Sequence, residues 1–170
     1  KNALEPNADT AFYLGILKDK AGNSKEALSF YNQAVDLETS SYEKSKILYK
    51  IATSFKKKGR FSQARSYYTK ALKANPSMGK CHLSIAAMYA RSANRCGTDN
   101  FSKRAVYWLA AKEAAKAGRI DPRMKKNANK SIANYKAKAP QKSEIFSSGR
   151  TGQVIKVGCW IGRSVKVPSL

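Results

Sequence analysis

The sequence contains few of the residues that catalysis and metal binding usually require. It has one histidine, His82, and three cysteines, at positions 81, 96 and 159. No Ser-His-Asp or Cys-His arrangement is available beyond simple adjacency, and the cysteines lack the paired short spacings of zinc sites. We interpret His82 as a core or groove-edge residue. The sequence therefore predicts a protein that is not an enzyme, with no catalytic residue, metal or cofactor.

Long apolar segments are also absent from the sequence. The longest uninterrupted apolar run is Ala105–Ala111, far short of the ~20 residues that span a membrane. The opening segment has no hydrophobic stretch of the kind found in signal peptides. Because the chain does not begin with Met, we expect it to be processed or excised from a longer protein. The sequence predicts no membrane span.

Acidic residues become rare after residue 43. The chain has 33 Lys and Arg against 11 Asp and Glu, a net charge of +22. Residues 1–43 carry a net charge of −3, whereas residues 44–170 have 29 basic and only four acidic side chains. This asymmetry favours a polyanionic partner, such as an acidic protein segment, nucleic acid or an anionic surface. The alternative is that the lysines only hydrate the outside of helices.

The middle of the chain carries a pattern of two amphipathic helices separated by a glycine turn and ended by proline. Its positions are Leu48, Ile51, Ala52, Phe55, Gly59, Ala64, Tyr68, Ala71 and Pro76. This pattern resembles the tetratricopeptide repeat (TPR), a helix-turn-helix unit of about 34 residues. The resemblance implies an all-α fold, in which stacked helix-turn-helix repeats form a right-handed superhelix that ends in a cap helix.

Further copies of the pattern lie on both sides of this unit. An earlier copy contains Gly15, Gly22 and Tyr31, and a later one resumes after a predicted loop at 91–101. The predicted organisation is a remnant of a preceding repeat at 1–6, repeats at 7–40, 41–78 and 79–122, a cap helix at 122–138 and a tail at 139–170.

The tail differs in composition from the repeats. β-Branched residues dominate Val154–Val167, which predicts a β-hairpin with its turn at Gly162-Arg163. The GCWIG segment is similar to tails of some bacterial envelope-associated TPR proteins. That resemblance implies a bacterial periplasm or cell-envelope setting, with the cytoplasm as the alternative. Cys96, in the predicted loop, is expected to be exposed, and either to remain a free thiol or to pair with Cys81.

The outer faces of the first helices predict a binding surface. At about 100° per residue, one set of side chains lies opposite or at the edge of the buried stripe of its helix. In TPR proteins this position lines the concave surface that holds extended peptides or partner helices. The predicted groove residues are Lys46, Tyr49, Lys50, Thr53, Lys57, Lys80 and Arg91.

The first repeat adds apolar side chains to the predicted basic groove. Phe12, Tyr13 and Ile16 are candidates for an apolar anchor beside the lysines. Some TPR domains grip a C-terminal carboxylate with a set of Lys, Asn and Arg side chains. Phe12 and Ile16 stand where that set needs Lys and Asn, so the sequence excludes this carboxylate clamp.

Two functions of different classes follow. The favoured one is a protein–protein adaptor whose basic groove docks an acidic peptide or partner helix. The alternative is direct nucleic-acid binding, which basic residues interleaved with aromatic rings would support. The aromatic residues concerned are Tyr49, Phe55, Phe61, Tyr67 and Tyr68. Against it, Phe55 and Tyr68 are already assigned to the repeat core, and no recognised nucleic-acid motif occurs.

Overall fold

The computed structural model describes residues 6–170. Contacts divide the described residues into two compact units, with the boundary between Pro76 and Ser77, and each unit is described by itself. The first unit contains α1 (Ala8–Lys20), α2 (Ser24–Leu37), α3 (Ser41–Lys57) and α4 (Phe61–Ala74). The second contains α5 (Gly79–Cys96), α6 (Asn100–Ile120), a 3₁₀ turn (Pro122–Met124), α7 (Lys125–Lys138), α8 (Lys142–Ser148), β1 (Val154–Val157) and β2 (Arg163–Lys166). The predicted remnant of a preceding repeat lies outside the described residues, except for Pro6.

Local sequence signals set the helix ends of the first unit. The Asn7 side chain accepts a hydrogen bond of 2.8 Å from the Thr10 backbone N–H and so caps α1. Ser40 caps α3 in the same way. Gly22 and Gly59 follow α1 and α3 with φ angles of +81° and +74°, a left-handed conformation that glycine adopts without steric cost. These turns return each chain segment into a second helix that pairs with the first.

Small residues bring the paired helices of the first unit into close contact. Ala52, Ala64 and Ala71 have no exposed surface, and Tyr68 is fully buried beside them. A Cβ atom placed on Gly15 would lie 2.5 Å from Cδ1 of Tyr31, so only glycine fits under that ring. The small and aromatic residues that the repeat pattern predicts to pack together therefore form the core of this unit.

The second unit is built around the long helix α6. Helices α5 and α7 both pack against α6, and alanines of α6 such as Ala110 and Ala114 are fully buried. Arg104 of α6 donates hydrogen bonds to the carbonyls of Lys138 and Ala139, both of 3.0 Å, and forms an ion pair with Glu144. The Arg104 side chain thus joins α6 to the segment that connects α7 with α8.

The predicted loop at 91–101 is mostly helical, which corrects the sequence interpretation. Helix α5 continues to Cys96 because Ser92, Ala93 and Cys96 bury their side chains at helical spacing. Only residues 97–99 lie outside helices, and Asp99 already caps α6 through a hydrogen bond of 2.7 Å from the Ser102 backbone N–H. The extra length of the third repeat therefore extends helices rather than a loop.

The tail contains a short helix that the sequence interpretation did not include. A hydrogen bond of 2.7 Å from the Gln141 backbone N–H to Glu144 Oε2 caps the start of α8. The helix ends at Ser148, before Gly149, whose φ angle is +65°. Beyond it, β1 and β2 pair in antiparallel register, with Val154 opposite Lys166 and Val157 opposite Arg163. The hairpin is as predicted, but its connection spans 158–162, so the expected turn at Gly162-Arg163 is wrong.

A disulfide joins the hairpin to α5. Cys96 and Cys159 are bonded, with their Cα atoms 5.5 Å apart, a usual separation for a disulfide. Cys81 is the free cysteine, and it is buried. The expectation that Cys96 is exposed, and either free or paired with Cys81, is therefore wrong. The end of α5 buries Ser92, Ala93 and Cys96, and Cys96 is bonded to the hairpin connection.

Candidate functional site

The first unit contains a pocket between its first three helices. Its volume is about 380 Å³. We call it the α1–α3 pocket. Its lining residues are Phe12, Ile16, Asp19, Lys20, Tyr31, Tyr49, Lys50, Thr53, Ser54, Lys57 and Lys58.

One side of the α1–α3 pocket is apolar and aromatic. Phe12 and Tyr31 lie with ring centroids 5.7 Å apart, and Ile16 follows Phe12 by one helical turn. Burial, together with the charge of Asp19, raises the pKa of Tyr31 to about 12, so its hydroxyl stays neutral at physiological pH. This side offers rings and methyl groups to an apolar side chain.

Thr53 and Tyr49 form a fixed polar side. The Thr53 hydroxyl donates a 2.9 Å hydrogen bond to the Tyr49 carbonyl and lies 3.0 Å from the hydroxyl of buried Tyr68. The rings of Tyr49 and Tyr68 are 5.4 Å apart. Because Tyr68 belongs to the core, these contacts hold the pocket wall in one position.

Cationic side chains surround the pocket. Asp19 is its one carboxylate, and it accepts hydrogen bonds from Ser54, of 2.5 Å, and from Lys58. Burial raises the pKa of Asp19, but these two hydrogen bonds outweigh it, so the pKa lies below its ordinary value. Lys50 Nζ lies 5.0 Å from the centroid of the Phe12 ring. No ion pair joins Lys50 to another residue within 6–170, so its charge is available to an anion.

The predicted groove residues divide among three places. Tyr49, Lys50, Thr53 and Lys57 line the α1–α3 pocket. Lys46 is on the same helix but does not line the pocket. It pairs with Glu43 at 3.3 Å and lies over the Tyr42 ring. Lys80 and Arg91 lie on α5 of the second unit.

The three residues predicted to form an apolar anchor also lie in different places. Phe12 and Ile16 line the pocket, whereas Tyr13 is 61% exposed on another face of α1.

Sequence reasoning missed Lys20, Lys58, Asp19, Ser54 and Tyr31 as pocket residues. The repeat itself contains a signal for one of them. Lys20 precedes Lys57 by 37 residues, the same step that relates Ala27 to Ala64. Because equivalent repeat positions face the same side, Lys57 on the groove face also predicts Lys20 there.

The single histidine of the chain, His82, lies in the second unit and contacts a buried glutamate. His82 Nδ1 lies 2.8 Å from Glu113 Oε1, and Lys116 Nζ lies 2.8 Å from Glu113 Oε2. Burial raises the pKa of Glu113, but the hydrogen bonds with His82 and Lys116 outweigh it and hold the pKa below its ordinary value. The neighbouring thiol of Cys81 is buried, which raises its pKa to about 12. The arrangement joins α5 to α6.

The part of the chain that the structure describes contains neither a candidate metal site nor a candidate membrane span. Within residues 6–170, no group of three or more His, Cys, Asp or Glu side chains is placed to hold a metal ion. Among the helices of that same range, none is long and apolar enough to cross a membrane.

Comparison with known protein families identifies the type of repeat in this chain. The tetratricopeptide-repeat family model matches residues 45–78, which cover most of α3 and all of α4. The predicted fold class is confirmed: the chain is a TPR protein, built mostly of paired-helix repeats, with a short antiparallel two-stranded hairpin near its C-terminus.

Three curated proteins that match the chain are distantly related to it. The chain is 31% identical over 111 residues to the photosystem I assembly protein Ycf3 of Cuscuta gronovii and of Cuscuta obtusiflora, covering 60% of this chain and 66% of each relative. It is 30% identical over 104 residues to the protein of the same name from Sorghum bicolor, covering 56% of this chain and 60% of that relative. The chain thus spans just under two thirds of the length of these relatives.

Proposed function

We propose that this chain is a non-enzymatic adaptor that docks an acidic segment of a partner protein in the α1–α3 pocket. The observation that carries the proposal is the combination of an apolar side, at Phe12 and Ile16, with cations at Lys50 and Lys57. The assembly role named for the relatives supports an adaptor rather than an enzyme. An apolar side chain next to carboxylates is the ligand that this combination fits.

Both parts of the pocket are needed for affinity. A single exposed ion pair contributes only ~0–1 kcal/mol, so lysines alone bind weakly and without selectivity. Seating one large apolar side chain against Phe12 and Ile16 adds ~1.5–3 kcal/mol. The aromatic rings fix where the ligand sits, and the lysines select a neighbouring acidic residue.

The proposal is tested with a short synthetic peptide that carries one Phe between runs of Glu. Fluorescence anisotropy measures its affinity for the full chain and for the double variant Lys50→Glu and Lys57→Glu. Two attractions become two repulsions, so we expect affinity to fall at least about tenfold, or about 1.4 kcal/mol. The matched control is Lys46→Glu, which changes a lysine of the same helix outside the pocket and should leave affinity within about twofold.

A second peptide, with Ala in place of Phe, tests the apolar part separately. It should bind the unaltered chain more weakly and show less dependence on Ile16→Ala. Circular dichroism confirms that each variant keeps its helices. Equal affinity of the unaltered chain and the double variant would mean that the pocket is not the docking site.

Nucleic-acid binding is the alternative function. Helix α7 favours it, because Lys125, Lys126, Lys130, Lys136 and Lys138 are exposed on a helix that carries no acidic residue. The aromatic rings expected to stack on bases do not support it. Tyr68 and Phe61 are buried, while Phe55 stacks on Tyr67 at 5.5 Å. Binding of an oligonucleotide that weakens log-linearly with salt would support this alternative.

The bacterial periplasm or cell envelope is the compartment that we propose. The disulfide between Cys96 and Cys159 supports it, because disulfides persist in oxidising compartments and are rare in the cytosol. In the cytoplasm, the alternative compartment, the same cysteines would be reduced. Thiol alkylation of cells before lysis, followed by mass spectrometry of the chain, distinguishes the two.

A further inference from the structure

The connection between β1 and β2 is fastened to the C-terminal end of α5. Beyond the disulfide, Trp160 Nε1 donates a 2.8 Å hydrogen bond to the Ser92 hydroxyl. The Trp160 ring also lies 5.3 Å from the ring of Tyr89. One turn of five residues, 158–162, thus places a covalent bond and a large aromatic ring on the same end of one helix.

The two bonded cysteines differ in exposure. Cys96 is buried at the end of α5, whereas Cys159 is exposed in the turn. Gly158 and Gly162 flank the turn, and a Cβ atom on either would meet no other group within 4 Å. Cys159 is therefore the more accessible of the two cysteines to a reagent.

The turn also holds Cys159 in an unfavourable backbone conformation. Its φ angle is +46°, the only positive φ of a non-glycine residue among the described residues. L-residues rarely adopt this left-handed conformation, because Cβ approaches the following carbonyl oxygen. Breaking the disulfide removes one of the constraints that keep Cys159 there.

The rest of the hairpin does not depend on the disulfide. Val157, Val165 and Val167 are buried, and Arg150 forms a 2.7 Å ion pair with Asp99 at the start of α6. None of these contacts involves the sulfur atoms, so we expect them to persist when the disulfide is reduced. Reduction should accordingly affect the turn and leave the strands paired.

We propose that the Cys96–Cys159 disulfide is a thiol–disulfide exchange site for a dithiol reductant, and that its reduction releases Trp160 from Tyr89. A thiolate of the reductant attacks Cys159 Sγ, and the sulfur–sulfur bond breaks. Cys96 leaves as a thiolate and takes a proton from water. The second thiol of the reductant then displaces Cys159 from the mixed disulfide, so the reductant is oxidised by two electrons and both cysteines become thiols.

A dithiol completes both steps of the exchange within one reductant molecule, because no third cysteine of the chain lies near Cys159. The remaining cysteine, Cys81, is fully buried near the other end of α5, about 22 Å from Cys96 along the helix axis. It is too distant to resolve a mixed disulfide at Cys159. A monothiol would therefore leave an adduct on Cys159 until a second monothiol molecule, or Cys96, attacks the mixed disulfide.

The test uses the full chain with the substitution Trp108→Phe, so that Trp160 is the only tryptophan. The folded protein is treated with dithiothreitol, without denaturant, and then with a maleimide, and intact mass counts the labelled thiols. We expect one label on Cys159, a second on Cys96 because the released turn no longer covers it, none on buried Cys81, and a shift in Trp160 emission. Circular dichroism should show unchanged helix content.

Two variants control the interpretation. Cys96→Ser with Cys159→Ser should show the shifted Trp160 emission without any reductant. Ser92→Ala keeps the disulfide and removes only the hydrogen bond to Trp160, so its thiols should still be released by dithiothreitol. The proposal is overturned if the bond resists dithiothreitol until the chain is unfolded, if the air-oxidised protein contains no disulfide, or if reduction leaves Trp160 emission unchanged.

Discussion

The buried carboxylate of Glu113 provides the sharpest test of the packing in the second unit. The substitution Glu113→Gln keeps the shape of the side chain and removes its charge. Glu113 is 8% exposed and accepts from His82 and Lys116, each at 2.8 Å. Glutamine has one acceptor oxygen, so one of the two donors loses its partner or faces an NH₂ group.

The expected loss in the free energy of unfolding is about 2 kcal/mol at neutral pH. A hydrogen bond to a charged group contributes about 1.5–3 kcal/mol. The Lys116 side chain is 41% exposed, so its share is near the ~0–1 kcal/mol of a surface pair. The larger share belongs to the bond with His82, part of which glutamine retains.

The pH dependence distinguishes a charge effect from a packing effect. The pKa of Glu113 is lowered from its ordinary value of 4.5 in the folded state. The stability that this carboxylate contributes is therefore full above pH 4.5 and is lost as pH falls through the folded-state pKa. The difference between the parent chain and Glu113→Gln should shrink in the same range.

Urea unfolding followed by tryptophan fluorescence measures this difference. Trp108 and Trp160 are both in the second unit, so the signal follows the unit that contains Glu113. The control Lys116→Ala removes only the exposed partner and should cost ~0–1 kcal/mol. An equal loss for Glu113→Gln at neutral and acidic pH, or no loss at either, would refute the assigned role of the charge.

Two further substitutions test other contacts. Gly15→Ala should lower the free energy of unfolding by about 1 kcal/mol, because the clash with Tyr31 costs about 1–3 kcal/mol and the better helix propensity of alanine recovers about 1; unchanged stability in urea unfolding by circular dichroism would contradict the close contact. Replacing both Cys96 and Cys159 by serine opens a loop of 63 residues and should cost about 4 kcal/mol. Equal denaturation midpoints for this variant and the oxidised chain would contradict that contribution.

The repeat fold was predictable because its determinants are local. Ala52, Ala64 and Ala71 recur at spacings that place them on one face of each helix, and all three are fully buried. A small residue at such a position fixes how closely two helices approach, whatever follows in the chain. The sequence pattern and the packing therefore contain the same information.

The disulfide was not predictable for the opposite reason. Cys96 and Cys159 are separated by 63 residues, and their contact depends on where the hairpin docks on the second unit. The turn residues Gly97, Thr98 and Asp99 also made the end of α5 resemble a longer loop. The periodicity of a single helix contains no information about which distant segment of the chain packs against that helix.

Lys46 shows the limit of helical-wheel reasoning for the candidate site. Its position on α3 is on the predicted face, yet Glu43 lies one turn earlier and pairs with it. An (i, i+3) pair of opposite charges was visible in the sequence and predicts this outcome. Lys50 and Lys57 have no carboxylate at such a spacing on α3 and line the pocket.

The composition of the pocket follows from comparing repeats rather than from either repeat alone. With the 37-residue step, Phe12 is equivalent to Tyr49, and Ile16 is equivalent to Thr53. The first repeat thus places apolar groups where the second places groups with a hydroxyl, while the lysines surround both. Considered alone, the second repeat predicts a basic polar groove, whereas the first excludes a carboxylate clamp and offers an apolar anchor at Phe12 and Ile16. Together the two repeats provide the apolar and cationic groups on which the proposed ligand, an apolar side chain next to a negative charge, depends.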